Sequence, residues 1–331
     1  MNKTFQELNQ VRKNGYKKDA SQENFLLNMN KALFPVEQKL YPDTDPEHPF
    51  IFVFGLPRSG TTLISQVLAY SIDAGYINNF TARFWLAPVH GIRLSQTVIQ
   101  ADTSTAFKSD YAKTSNLADI HEFGYFWRHW LKKESMDDIT HVREREDQID
   151  WPGLKRALTG IQNEFGKPFV CKNIYGSYHI QKLKTLLGKV IYVTIERDPL
   201  DVAISILDAR RKFYTNLNTW WSYVPIEYEE IKDLEYWEQI AGQIHFLKRF
   251  YDSETEKLES DDVVRVQYKD LCERPEAMLQ QIQSICNEKW DYPLRISNPK
   301  PGPFPFRTYK DRDDEKAKFS DLIRRFEEKH P

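Results

Sequence analysis

No apolar run in this sequence approaches the eighteen residues of a membrane span, and Met1-Asn-Lys-Thr-Phe-Gln-Glu-Leu8 lacks the apolar stretch of a secretory leader. Cysteine is scarce. Cys171, Cys272 and Cys286 are odd in number, far apart and form no CxxC, which argues against a disulfide framework or a cysteine-based zinc site. An excess of either charge is also missing. Lys and Arg number 46 against 48 Asp and Glu, a net charge of −2, so no global field draws in nucleic acid or an anionic membrane. Any anion site must therefore be local. Together these absences predict a cytoplasmic protein with reduced thiols, no nucleic-acid partner and no stable membrane insertion. They leave the oligomeric state open.

A more pointed absence concerns a loop. Phe50-Ile-Phe-Val-Phe54 runs directly into Gly55, Pro57 and Gly60, after which Leu63, Ile64, Val67 and Leu68 recur with helical spacing. A buried strand that feeds a glycine-bearing loop and then opens a helix builds an anion cradle, because loop N–H groups and the helix N-terminus both present positive potential. Gly55 and Gly60 have the spacing of GxxxxGK[ST], yet Thr61 stands where that motif has lysine, and Arg58 lies inside the loop. The loop is thus expected to hold a phosphate-like group of something other than Mg-ATP. No metal-ligand cluster stands out in the sequence, and no metal is expected.

Hydrophobic residues make up 40% of the chain and aromatics 14%, enough for a sizeable core. Strand patterns at 168–172, 189–195 and 262–267 alternate with helix patterns at 60–73, 178–187, 234–259, 275–287 and 313–329. Asp198-Pro199 has the cap and first-turn chemistry to start another helix. This alternation predicts one α/β domain with a mostly parallel sheet covered on both faces. Residues 1–49 form its helical N-terminal arm. Residues 76–166, rich in Phe, Tyr and Trp, are expected to form a mainly helical or looped insertion that covers the sheet and shapes a pocket. Those aromatics either line a pocket or pack as core.

A second strand-to-helix turn completes the constellation. Arg197 ends the strand at 189–195, and Ser205 lies eight residues on, about two turns into the next helix. In a parallel sheet both turns open on the same edge, where ligands bind. The first offers Arg58, Ser59, Gly60, Thr61 and Thr62; the second offers Arg197 and Ser205, a cation and a directional hydroxyl for a second anionic group.

Gly55-Leu-Pro-Arg-Ser-Gly-Thr-Thr-Leu63 resembles the 5′-phosphosulfate loop of sulfotransferases, and Arg197-Asp-Pro-Leu-Asp-Val-Ala-Ile-Ser205 resembles their 3′-phosphate motif. Val264-Arg-Val-Gln-Tyr-Lys-Asp-Leu-Cys-Glu-Arg-Pro-Glu276 is similar to a later strand-turn-helix of the same family. The resemblance spans about residues 50–290 and is closer to the branch with a Pro-Arg-Ser-Gly-Thr-Thr loop than to the cytosolic aryl enzymes. It implies a P-loop-type three-layer sandwich. It also implies 3′-phosphoadenosine-5′-phosphosulfate (PAPS) as donor, 3′-phosphoadenosine 5′-phosphate (PAP) as product, and in-line transfer to a hydroxyl or amine of a small or lipid-like acceptor. A sulfuryl group carries one ionisable oxygen fewer than a phosphoryl group, so side-chain cations and backbone dipoles suffice without Mg²⁺.

By the same resemblance Arg58 stabilises the bridging oxygen, and Lys172, ending the strand Phe169-Val-Cys, helps the leaving group depart. The family pattern at that strand end is Lys-Asp-Pro or Lys-Thr-His. Here it is Lys172-Asn173-Ile174, so the histidine base of the aryl branch is missing. The stretch 76–85, where related enzymes place a glutamate, has no carboxylate. Glu122 or His121 is the expected base. Leu63 stands where the aryl enzymes stack a tryptophan on adenine, and Arg307 or Lys310 of the proline-rich segment is expected to reach a phosphate. Two alternatives remain at this point: a kinase with a variant phosphate loop, and a catalytically silent nucleotide-binding protein.

Overall fold

The computed structural model describes residues 4–99 and 116–331. Residues 100–115, part of the expected 76–166 insertion, lie outside the described residues. Five parallel strands form one sheet in the order β2-β3-β1-β4-β5. They are β1 (Phe50–Gly55), β2 (Gly75–Tyr76), β3 (Phe169–Lys172), β4 (Val190–Glu196) and β5 (Val263–Gln267).

The unbroken apolar run of β1 follows from its central position. Phe50, Phe52 and Phe54 point to one face, beside Tyr192 and Trp127, while Ile51 and Val53 point to the other, beside Val170, Ile191 and Val193. A strand buried on both faces has no polar alternation to show. Counting helices of at least eight residues among the described ones, α1 is Ala20–Glu37, α2 Thr61–Ser71, α3 Pro88–Val98, α4 Gly124–Leu131 and α5 Trp151–Phe165. The remainder are α6 (Ile180–Leu187), α7 (Pro199–Phe213), α8 (Tyr236–Glu256), α9 (Pro275–Trp290) and α10 (Asp313–Lys329). Helices α2 and α9 cover the Ile51 face through Ile64, Val67, Leu68, Met278, Leu279 and Ile282. The Phe52 face carries α4 to α8, so the chain is a three-layer sandwich.

The N-terminal arm holds a short helix over Phe5–Gln10 and then the longer α1. Asp19 accepts a hydrogen bond from the Gln22 N–H and starts α1 there, and the helix runs on through Pro35 to Glu37. Two fully buried polar side chains seat the arm. Asn30 donates to the Arg83 carbonyl (2.7 Å) and accepts from the Leu86 N–H (2.8 Å), and Glu37 accepts from the Val89 N–H (2.7 Å) at the start of α3. Of the aromatics in the 76–166 stretch, Trp85, Phe126, Trp127, Trp130 and Trp151 are buried. They serve as core.

Candidate active site

The C-terminal ends of β1, β3 and β4 lie side by side on one edge, and each delivers a residue named from sequence. The β1 loop turns over a left-handed pair: Arg58 has φ 69° and Gly60 φ 113°. Such a φ in arginine is strained by about 1–3 kcal/mol and persists only where its surroundings hold it. Gly60 is required for a second reason, since a Cβ there would sit 2.8 Å from the Tyr268 ring. Gly60→Ala should lower unfolding free energy by about 1–3 kcal/mol in a denaturant titration. Ser59 is fully buried and donates its hydroxyl to the Leu56 carbonyl (2.7 Å), so it shapes the loop from inside. No side chain caps α2, and Thr61 and Thr62 begin it half-buried. Its first N–H groups are thus available to an anion.

At the β4 turn the opposite holds. Asp198 accepts from the N–H groups of Leu200 (2.8 Å) and Asp201 (3.1 Å) and fills the N-terminus of α7. Pro199 takes the first position. Any anion at this turn would have to be met by side chains. Ser205, one face of α7 inward, accepts from Arg58 Nε at 2.9 Å and so ties the two turns together. Arg197 forms no ion pair with Asp198 or Asp201. It donates to the carbonyls of Arg58 (3.0 Å) and Arg307 (2.6 Å), and its guanidinium lies 4.5 Å from the centre of the Tyr268 ring. Asp201 instead pairs with Lys316 (3.0 Å) and accepts from the Tyr309 N–H (3.2 Å). These contacts hold the proline-rich segment against the site, where Phe306 to Asp311 line an open cleft of about 480 Å³. Arg307 is exposed there and fastened through its carbonyl.

At the end of β3 the buried Lys172 ammonium donates to Thr62 Oγ1 (2.8 Å) and Glu122 Oε1 (2.5 Å). A residue of the loop helix, a strand-end lysine and a carboxylate from residues 50 positions away in sequence therefore share one contact. Glu122 remains about one-third exposed, so its carboxylate also faces solvent. His121 is placed differently. Its Nδ1 accepts from the Phe123 N–H at 2.9 Å, which puts the neutral ring's proton on Nε2. Desolvation lowers its pKa, and the charges of Lys172 and Lys18 lower it further against the opposing effect of Glu122. In that tautomer Nε2 carries a proton, whereas the partly exposed Glu122 presents carboxylate oxygens.

A model of the sulfotransferase family matches residues 49–292. The chain belongs to the sulfotransferase family. Its fold is similar to that of sulfotransferase STF9 from Mycobacterium avium, with TM-score 0.53 and 13% identity over 97% of this chain and 79% of that one. Sulfotransferase STF1 from Mycobacterium tuberculosis H37Rv is also similar, with TM-score 0.44 and 17% identity over 79% of this chain and 71% of that one. At 13% identity the likeness to the Mycobacterium avium enzyme speaks for the fold alone, a P-loop-like α/β sandwich. No curated protein matches the sequence significantly.

In this sulfotransferase two site residues were not singled out from sequence. Tyr268 follows β5 directly, and its ring packs under both Gly60 and Arg197. Its place at a strand's C-terminal end was the available signal. Asn173 is the other, and nothing local in the sequence marks its partner. Among the described residues one group of three carboxylates clusters, Glu259, Asp261 and Asp262, at the start of β5. It lies at the far end of that strand from the site and is bridged by Lys289. No helix among the described residues is long and apolar enough to cross a membrane.

Proposed function

We propose that this sulfotransferase moves a sulfuryl group from PAPS to a hydroxyl or amine of a small or lipid-like acceptor by direct in-line transfer. The observation that carries the donor is the Arg58–Ser205 hydrogen bond. It joins two anion-holding turns into one surface, which suits a ligand with two separated anionic groups. The uncapped α2 terminus and Thr61 serve the 5′ end, and Arg197 with Ser205 serves the 3′-phosphate. The bond between sulfur and the bridging oxygen breaks, its electron pair stays on the 5′-phosphate of PAP, and Arg58 and Lys172 stabilise that charge. Glu122 takes the proton of the attacking acceptor. A donor anion beside Lys172 competes with Glu122 for its ammonium, so donor arrival frees the carboxylate for the acceptor.

The test compares PAP, PAPS, Mg-ATP and Mg-GTP by thermal shift and calorimetry, followed by PAP release from PAPS across a panel of phenols, alcohols, sterols and amines. PAP and PAPS should raise the melting temperature by several degrees at about a hundred times Kd. Tight Mg-ATP binding with none for PAP would replace this reading with a kinase. Strong PAP binding with no turnover on any acceptor would leave only the nucleotide-binding part.

A further inference from the structure

Glu122 belongs to no helix or strand. It ends an irregular stretch, and the next residue, Phe123, has a left-handed φ of 54°. A carboxylate on such a loop needs an external anchor to act at one place, since a reacting group misplaced by 1 Å loses about a hundredfold in rate. One anchor is remote: the His121 N–H donates to the Ile77 carbonyl (2.8 Å). The other is Asn173, immediately after Lys172. Its Nδ2 donates to the Glu122 carbonyl at 2.9 Å.

The Asn173 side chain cannot turn away from this task. Its Oδ1 accepts from the N–H groups of Tyr175 (2.6 Å) and Gly176 (3.0 Å), and the residue is only 3% exposed. A flipped amide would set its NH₂ against two N–H donors and its oxygen against a carbonyl, so the orientation is fixed by its partners. The residue directly after the strand that carries Lys172 is thus the clamp for the backbone of Glu122. Both members of the Lys172–Glu122 contact are thereby referred to one rigid element.

We infer that Asn173 is a positioning residue that holds Glu122 in register with Lys172 and the loop. The inference rests on the reading of Glu122 as the proton acceptor. Asn173→Asp keeps the oxygen that caps Tyr175 and Gly176 but turns the donor into an oxygen facing the Glu122 carbonyl. Asn173→Ser retains a shorter hydroxyl for the turn and cannot span to Glu122. In both, PAP affinity should stay within about twofold. With the best acceptor of the panel, kcat should fall about ten- to a hundredfold with little change in the KM for PAPS. In a Glu122→Gln background the same substitutions should add less than about twofold, because the clamp then has nothing to position. Crystals of the ligand-free variants should show the carboxylate displaced from Lys172 Nζ, on which it sits in the unsubstituted protein.

Glu122 still on Lys172 in the crystals of both variants, or effects that multiply in full with Glu122→Gln, would overturn the role of Asn173. Should Asn173→Asp fail to fold, Asn173→Ser decides. A Glu122→Gln enzyme that turns over at the wild-type rate sinks the assignment of the base instead. The crystallographic distance then still reports on the clamp.

Discussion

Lys172→Met should lower kcat by about 10²–10³-fold at saturating PAPS, the size of effect seen when one preorganised donor to a developing charge is removed. Methionine keeps most of the buried stem and removes the ammonium. The loss has two sources at one atom. Lys172 reaches Thr62 in the first turn of α2, next to the loop where the proposed leaving oxygen gathers charge. It is also the partner of Glu122, and its removal leaves that carboxylate without a fixed direction. Stability should fall by only about 1–3 kcal/mol, because Glu122 is open enough to be rehydrated. Lys172→Arg should recover little, since the planar fork cannot reproduce a point charge that contacts Thr62 and Glu122 at once. Stopped assays of PAP formation, with PAP calorimetry on the same variants, separate the two terms. A methionine variant within threefold of the wild-type rate would remove Lys172 from the chemistry.

Arg58→Gly should be the most instructive change in the loop. The left-handed backbone at Arg58 is free of strain in glycine, worth about 1 kcal/mol. Against that gain stand the side chain's lost contacts, among them the hydrogen bond to Ser205, about 0.5–1.5 kcal/mol. The backbone carbonyl can still accept from Arg197. Chemical denaturation should therefore find a stability close to wild type while kcat/KM for PAPS falls by about 10²–10³-fold. Such a result would show that the loop keeps a strained arginine for catalysis and not for folding. Turnover preserved in both Arg58→Gly and Arg58→Lys would refute it.

Much of this could be read from the residues because local chemistry dictated it. The β1 run, the glycine spacing and the Asp198-Pro199 start of α7 each depend on a few neighbouring positions, and α10 spans Asp313 to Lys329 as its pattern predicts. What escaped depends on distant partners. β2 is two residues long and exists only by pairing Gly75 and Tyr76 with β3. The different surroundings of Glu122 and His121 rest on contacts such as the main-chain N–H that meets His121 Nδ1, which no spacing rule reveals. Asn173 looks like any polar residue after a strand until the carbonyl of Glu122 arrives from 51 positions away. Element ends shifted too: the pattern over 234–259 became Tyr236–Glu256, and Asp262, expected in the strand, lies just before β5 and pairs with Lys184.

The contrast between the two helix starts has a hereditary side. Main-chain amides have no codon of their own, so a group held at the open end of α2 is retained through most point mutations. The end of α7 is already closed by Asp198, so on the proposed reading a group beside it would depend on the side chains of Arg197 and Ser205. A single nucleotide change can abolish either. Over generations, a lineage of this chain that altered its donor would be expected to change first beside β4, while the β1 loop stayed the same.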